Sequence, residues 1–165
     1  RIRPGFTGVP EGIPGDLQPL SAPAWWPRET LYTAGNPPEL LRSSVFGEGQ
    51  IYVQDPSTLL APALLDPCPG DVIADLCAAP GGKTLAIADL AESGATILCL
   101  DRSEQRLKRL IQNTRNNNGA FAGVADVTRP CLARQSVDAI LLDVPCSNTG
   151  VLRRRPDAQW RFTSR

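Results

Sequence analysis

The chain has 165 residues, 42% of them hydrophobic and 21% charged, with a formal net charge of zero. That suffices for one domain with its own core, and no apolar run approaches the ~20 residues that span a bilayer. The opening stretch, RIRPGFTGVP, has neither the apolar segment of a secretory leader nor an initiator Met, so a piece of a longer chain is expected.

The charge is segregated. Residues 1–101 hold 12 acids and 5 bases, whereas residues 102–165 hold 5 acids and 12 bases. A basic half suits a polyanionic partner, and equally well a solvated surface. Five cysteines occur with no CxxC pair and no His, which argues against a zinc site. With no secretion signal, a reducing cytoplasm is expected.

Residues 1–45 read as a Pro- and Gly-rich arm or the remnant of an amino-terminal region, and residues 46–165 as one incomplete domain. Trp25 and Trp26 in the arm could stack on nucleobases, but such a pair more often packs an arm onto its own domain. GQIYVQDPSTLLAPALL reads as a short strand, a turn at Asp55-Pro56 and a helix. DVIADL is a continuous apolar run before a glycine loop, the pattern of a buried parallel strand. TLAIADLAES reads as a helix that stops at Gly94, and ATILCLD as a second buried strand. SEQRLKRLIQNTRNNNG is an amphipathic helix capped by Ser103, with Leu107, Leu110, Ile111 and Thr114 inward and Gly119 as the stop. AFAGVAD and SVDAILLDVPC supply two more strands.

Strands alternating with helices predict an α/β fold with a doubly wound, mostly parallel sheet. Ligands of such sheets lie beyond the carboxyl ends of the strands. Those ends carry the loop after Leu76, then Asp101, Asp126 and Asp143.

Three ligands compete for the loop in DLCAAPGGKT, residues 75–84. A Walker A loop would place Gly where Cys77 stands, and Pro80 removes one backbone N–H from a phosphate cradle. A dinucleotide site would show G-x-G-x-x-G, and only Gly81-Gly82 is present, although Asp101 stands where a ribose-binding acid is expected. S-adenosyl-L-methionine (SAM) needs close backbone approach, an acid for the ribose and a polar group near the adenine. Gly81, Gly82, Asp101 and Asp126 supply these. Spacing favours SAM only modestly over a nicotinamide dinucleotide.

The second motif is DVPCSNTGVLRRRPD, residues 143–157. Asp143, Pro145 and Cys146 form a constellation suited to attack on a ring. C5 of a pyrimidine is a poor nucleophile until a thiolate adds at C6. Cys146 could supply a thiolate, and Asp143 could hold the ring edge.

Together, VQDPSTLL, DLCAAPGGKT, LDRSEQRL and LLDVPCSNTGVLRRRPD resemble the RNA 5-methylcytosine methyltransferases, and within them the bacterial Sun/Fmu family that acts on 16S ribosomal RNA. The resemblance covers about residues 45–165. It implies a Rossmann-like class I SAM-dependent methyltransferase fold. It implies that Cys77, Ala78, Ala79, Pro80, Gly81, Gly82 and Lys83 form the SAM loop, with Asp101 on the ribose and Asp126 by the adenine. Asp143 would lie between cofactor and cytosine. In this family the cysteine of the Pro-Cys motif, here Cys146, assists product release, and a cysteine in a later Thr-Cys pair attacks C6. No Thr-Cys pair occurs here, so the nucleophile is expected beyond residue 165, and the piece alone is expected to bind SAM without turnover.

Several further expectations follow. Arg153, Arg154 and Arg155 are read as RNA phosphate contacts. Lys83 is expected to meet the cofactor carboxylate or Asp143. Gln54 and Asp55 would support the active site, or simply cap a turn. Cys68, Cys99 and Cys131 are packing or surface residues, and the sulfur of Cys77 matters less than its backbone. By this resemblance the expected partner is ribosomal RNA, and the enzyme is expected to be a cytoplasmic monomer with no metal and no membrane contact. Transfer RNA as substrate, a non-catalytic RNA-binding module and a nicotinamide-dependent oxidoreductase are the competing readings.

Overall fold

The computed structural model describes residues 1–3, 9–26, 31–35 and 37–145. Two short strands, β1 (Leu17–Pro19) and β2 (Tyr32–Ala34), pair antiparallel with Leu17 opposite Ala34. Two one-turn helices follow, α1 (Pro37–Leu40) and α2 (Ser44–Gly47), and then a 3-10 turn over Pro56–Leu59 that runs into α3 (Leu60–Leu65). From there the order is β3 (Val72–Asp75), α4 (Gly82–Leu90), β4 (Thr96–Asp101), α5 (Glu104–Thr114), β5 (Ala120–Val124) and β6 (Ala139–Leu141).

The last four strands form one parallel sheet in the order β5-β4-β3-β6. The register sets Ala120, Ile97, Ile73 and Ala139 in one row. This row packs with Ile87, Ala88, Ala91, Leu107 and Leu110 from α4 and α5, while Ala61 and Leu65 of α3 close the same cluster. Helices α3, α4 and α5 therefore cover one sheet face. The next residues along the outer strands, Phe121 and Ile140, turn to the other face and stand half exposed.

Local chemistry accounts for the helices. The Ser103 hydroxyl caps α5 by accepting from the Arg106 N–H, and Glu104 sits in the positive first turn. Helix α4 starts at Gly82, two residues before the predicted Thr84, because Gly81 takes the left-handed conformation (φ +104°) that turns the loop into the helix. Residues Thr84 to Asp89 of α4 are all buried.

Two expectations for α5 are corrected. Ile111 is 55% exposed, whereas Leu107, Leu110 and Thr114 are buried. Spacings of three and four keep those three on a narrow stripe against the sheet, and Ile111 falls to its flank. Ile111→Ser is accordingly expected to change the unfolding free energy by no more than about 0.5 kcal/mol. A urea titration showing a loss of about 2 kcal/mol would return Ile111 to the core. Gly119 does not stop the helix, which ends at Thr114. A Cβ on Gly119 would lie 2.4 Å from the Ala95 carbonyl oxygen, so close backbone packing explains the glycine.

The predicted strand at residues 49–53 is reduced to one antiparallel bridge between Ile51 and Ile2. The arm is tied down elsewhere too. Trp26 is 3% exposed and packs with Leu31, Leu59 and Ala86, with Trp25 against the same cluster. Of the two roles considered for the tryptophan pair, the contacts match packing onto the domain. Arg1 and Arg3 reach Asp89 in the last turn of α4.

Candidate cofactor and substrate clefts

The ends of β3, β4, β5 and β6 face one edge, as the parallel order requires. Asp75 and Asp101 are the last residues of their strands, and Asp126 and Asp143 lie two residues beyond theirs. The loop from Cys77 to Gly81 joins β3 to α4 along this edge.

Protein acceptors already hold the loop backbone. The Ala78 N–H donates to the Leu100 carbonyl at 3.0 Å, the Ala79 N–H to the Asp101 carboxylate at 3.2 Å, and the Gly81 N–H to the Ala78 carbonyl at 2.7 Å. The Asn113 amide donates to the Pro80 carbonyl at 2.8 Å. With those N–H groups occupied and Pro80 lacking one, the loop is no phosphate cradle. Gly82 is needed for another reason. A Cβ there would press on the Tyr52 ring at 3.0 Å.

Two clefts adjoin at Cys77. The first, about 300 Å³, is lined by Gln54, Asp55, Cys77, Lys83 and Asp143, with Tyr52 on its wall. The second, about 510 Å³, runs past Cys77, Asp101, Arg106, Asp126 and Val144. Lys83 Nζ donates to Asp143 Oδ2 at 2.5 Å, one of the two contacts expected for this lysine. Asp101 is buried and accepts from Ser103 N–H at 2.9 Å as well as from Ala79, with the Arg106 guanidinium 3.0 Å away. Asp126 is exposed. Its carboxylate is held below the usual range, first by the Thr128 hydroxyl and then by the Thr128 N–H.

The cysteines separate cleanly. Cys99 is fully buried, and burial pushes its thiol up to about 12. Cys68 and Cys131 are exposed. The Cys77 thiol is raised by burial and then by Asp101, so it stays protonated at neutral pH. Cys146, Arg153, Arg154 and Arg155 lie outside the described residues.

Three contributors escaped the sequence reading. Arg106 braces both Asp101 and the Ala79 carbonyl. Asp75 accepts from the buried Thr84 hydroxyl at 2.7 Å, tying the end of β3 to α4. An acid closing an apolar strand run was the available signal for Asp75. Tyr52 packs on Gly82, and nothing local announced it. Asp55, by contrast, caps the 3-10 turn through Ser57 N–H at 2.9 Å.

A parallel sheet whose strand ends present a small-residue loop and successive carboxylates is the Rossmann-like architecture of class I SAM-dependent methyltransferases. A family model described as 16S rRNA methyltransferase RsmB/F matches residues 62–165. The chain is 43% identical over 118 residues to the ribosomal RNA small subunit methyltransferase B of Serratia proteamaculans, covering 70% of this chain and 27% of that protein. A methyltransferase homolog protein from Pyrococcus horikoshii shares the fold at TM-score 0.67 and 31% identity, over 86% of this chain and 46% of that one. NSun6 from the same organism, solved with SFG, gives TM-score 0.61 and 34% identity over 66% of this chain and 29% of that one. The chain belongs to the 16S rRNA methyltransferase RsmB/F family. It spans about a quarter of the length of the curated relatives it matches. Among the described residues, no helix is long and apolar enough to cross a membrane.

Proposed function

We propose that this chain carries the SAM-binding and cytosine-positioning part of an RNA methyltransferase that methylates C5 of a cytosine in 16S ribosomal RNA. The observation that carries this reading is the pair of clefts meeting at Cys77, one bordered by Asp101 and Asp126, the other holding Lys83 against Asp143. The enzyme works on RNA in the cytoplasm as a monomer, without a metal.

The donor set suits SAM. Ala78, Ala79, Gly81 and Gly82 keep side chains out of the loop's path. Asp101 offers a carboxylate to ribose hydroxyls, and Arg106, about half exposed, is the partner free to give way. Asp126 borders the same cleft on the adenine side. Bound there, SAM supplies the methyl group that C5 takes.

The chain's own groups do the rest. Asp143 accepts from the exocyclic amine of a flipped cytosine, and Lys83 keeps that carboxylate oriented. A thiolate adds at C6 so that C5 becomes nucleophilic. The family resemblance assigns that thiolate to a Thr-Cys pair, which this sequence does not contain, and gives Cys146 the release of product. Loss of the C5 proton to a base then expels the thiolate and restores the ring. Arg153, Arg154 and Arg155 contact RNA phosphates.

Thermal unfolding of the chain tests the cofactor assignment. SAM at 100 times its dissociation constant is expected to stabilise the fold by about 2.7 kcal/mol, and NAD by nothing measurable. Stabilisation by NAD with none by SAM would overturn the reading in favour of an oxidoreductase.

A further inference from the structure

Gln54 stands in the stretch that walls the Lys83–Asp143 cleft. Both polar atoms of its side chain, Oε1 and Nε2, are buried with no hydrogen-bond partner among the described residues. A buried amide is nearly always paired, because leaving it unpaired forfeits the hydrogen bonds it made to water. Its neighbours have local roles that explain them. The Asp55 carboxylate caps the 3-10 turn, and Tyr52 packs on Gly82. Gln54 also borders a second cavity, about 290 Å³, lined by apolar residues of the arm such as Ile13, Leu17 and Leu40. An apolar side chain would suit that side better than an amide. Neither side of the wall gives the amide a partner among the described residues.

The polar chemistry of the cleft supplies a role for it. Ionised Asp143 can only accept hydrogen bonds, and Lys83 can only donate. A neutral amide offers a donor and an acceptor together. The cytosine edge runs from a donating exocyclic amine to an accepting ring nitrogen, and then to an accepting carbonyl. A carboxylate satisfies the amine, and an amide N–H satisfies one of the acceptors. Uracil presents an acceptor where cytosine presents its amine, so the carboxylate would face an oxygen.

We propose that Gln54 is a nucleobase-reading residue. Its amide, unpaired among the described residues, donates to the N3/O2 side of a cytosine whose amine is held by Asp143. This rests on the reading of the cleft as the cytosine site. By turning over, the amide alone would serve either pyrimidine, so selectivity requires Asp143 beside it.

The 165-residue chain itself allows a direct test. In the 15N-labelled protein, the Gln54 side-chain amide pair is identified as the pair missing from Gln54→Leu, and cytidine 5′-monophosphate is titrated in. The pair is expected to shift with cytidine monophosphate and much less with uridine monophosphate. Gln54→Leu should weaken cytidine monophosphate binding roughly tenfold. The same variant should melt at a higher temperature than the parent, since it removes an unpaired buried amide. A merely structural glutamine would lower both. If the Gln54 pair stays still while other cleft resonances move, the proposal is overturned. It is also overturned if cytidine monophosphate does not bind, or if both nucleotides shift the pair equally. SAM titrated into the same sample separates the two ideas: shifts across residues 77–83 with a silent Gln54 leave the methyltransferase reading standing and remove this one.

Discussion

Asp89→Asn is expected to lower the unfolding free energy by about 3–5 kcal/mol, read from urea denaturation. Asp89 sits in α4 with its side chain 1% exposed, and it receives Arg1 on one oxygen and Arg3 on the other, Arg3 at 3.1 Å. Burial lowers the pKa of Arg3, a sign of how little water reaches it. Both guanidinium groups are nearly sealed, with side chains 1% and 9% exposed. Asparagine keeps the shape and removes the negative charge that both buried guanidinium groups reach. Arg1 also lies over the Trp26 ring, 5.9 Å from its centre, so the disturbance extends into the cluster that fastens the arm. Because α4 begins at Gly82, loosening the helix should also weaken SAM binding. A loss under about 1 kcal/mol would mean that the clasp does no more than repay its own desolvation.

The second large effect is a pH dependence. Burial pushes the Asp75 carboxyl up from 3.8 to about 6, against the opposing effects of the Thr84 hydroxyl and the Lys83 charge. Between these values the folded state binds more protons than the unfolded one. Stability from this group is therefore full below pH 3.8 and falls as pH rises through about 6. At about 1.36 kcal/mol per pKa unit, the loss is about 3 kcal/mol. Asp75→Asn keeps an acceptor for Thr84 and cannot titrate. The difference between parent and variant should therefore open across this window, the variant being the more stable at pH 7. Urea midpoints from pH 4 to 7 measure it, and parallel curves for the two proteins would refute the assignment.

Much of the site was legible because its signals are local. Gly81, Gly82 and Pro80 state their backbone limits in one short loop, and the acids at 101, 126 and 143 each follow an apolar strand run. The parallel order then brings them to one edge without further information. Lys83 was narrowed to two partners, and Asp143 lies 60 residues away in the chain. Ile111 shows the limit of periodicity. The pattern marked a stripe, but the width of that stripe depends on how closely the sheet approaches.

The sequence by itself determined the order of strands and helices from β3 to β6, the small-residue loop, the row of strand-end acids and the family to which these motifs belong. Each of these is written within a turn or a strand length, where steric limits and hydrophobic pattern act. Only the tertiary structure decided that Asp89 meets Arg1, 88 residues away, that Arg106 braces Asp101, that Tyr52 rests on Gly82 and that the Gln54 amide has no hydrogen-bond partner among the described residues. Composition says how many charges and amides a chain holds. Which of them share a buried volume is set by the packing of distant segments.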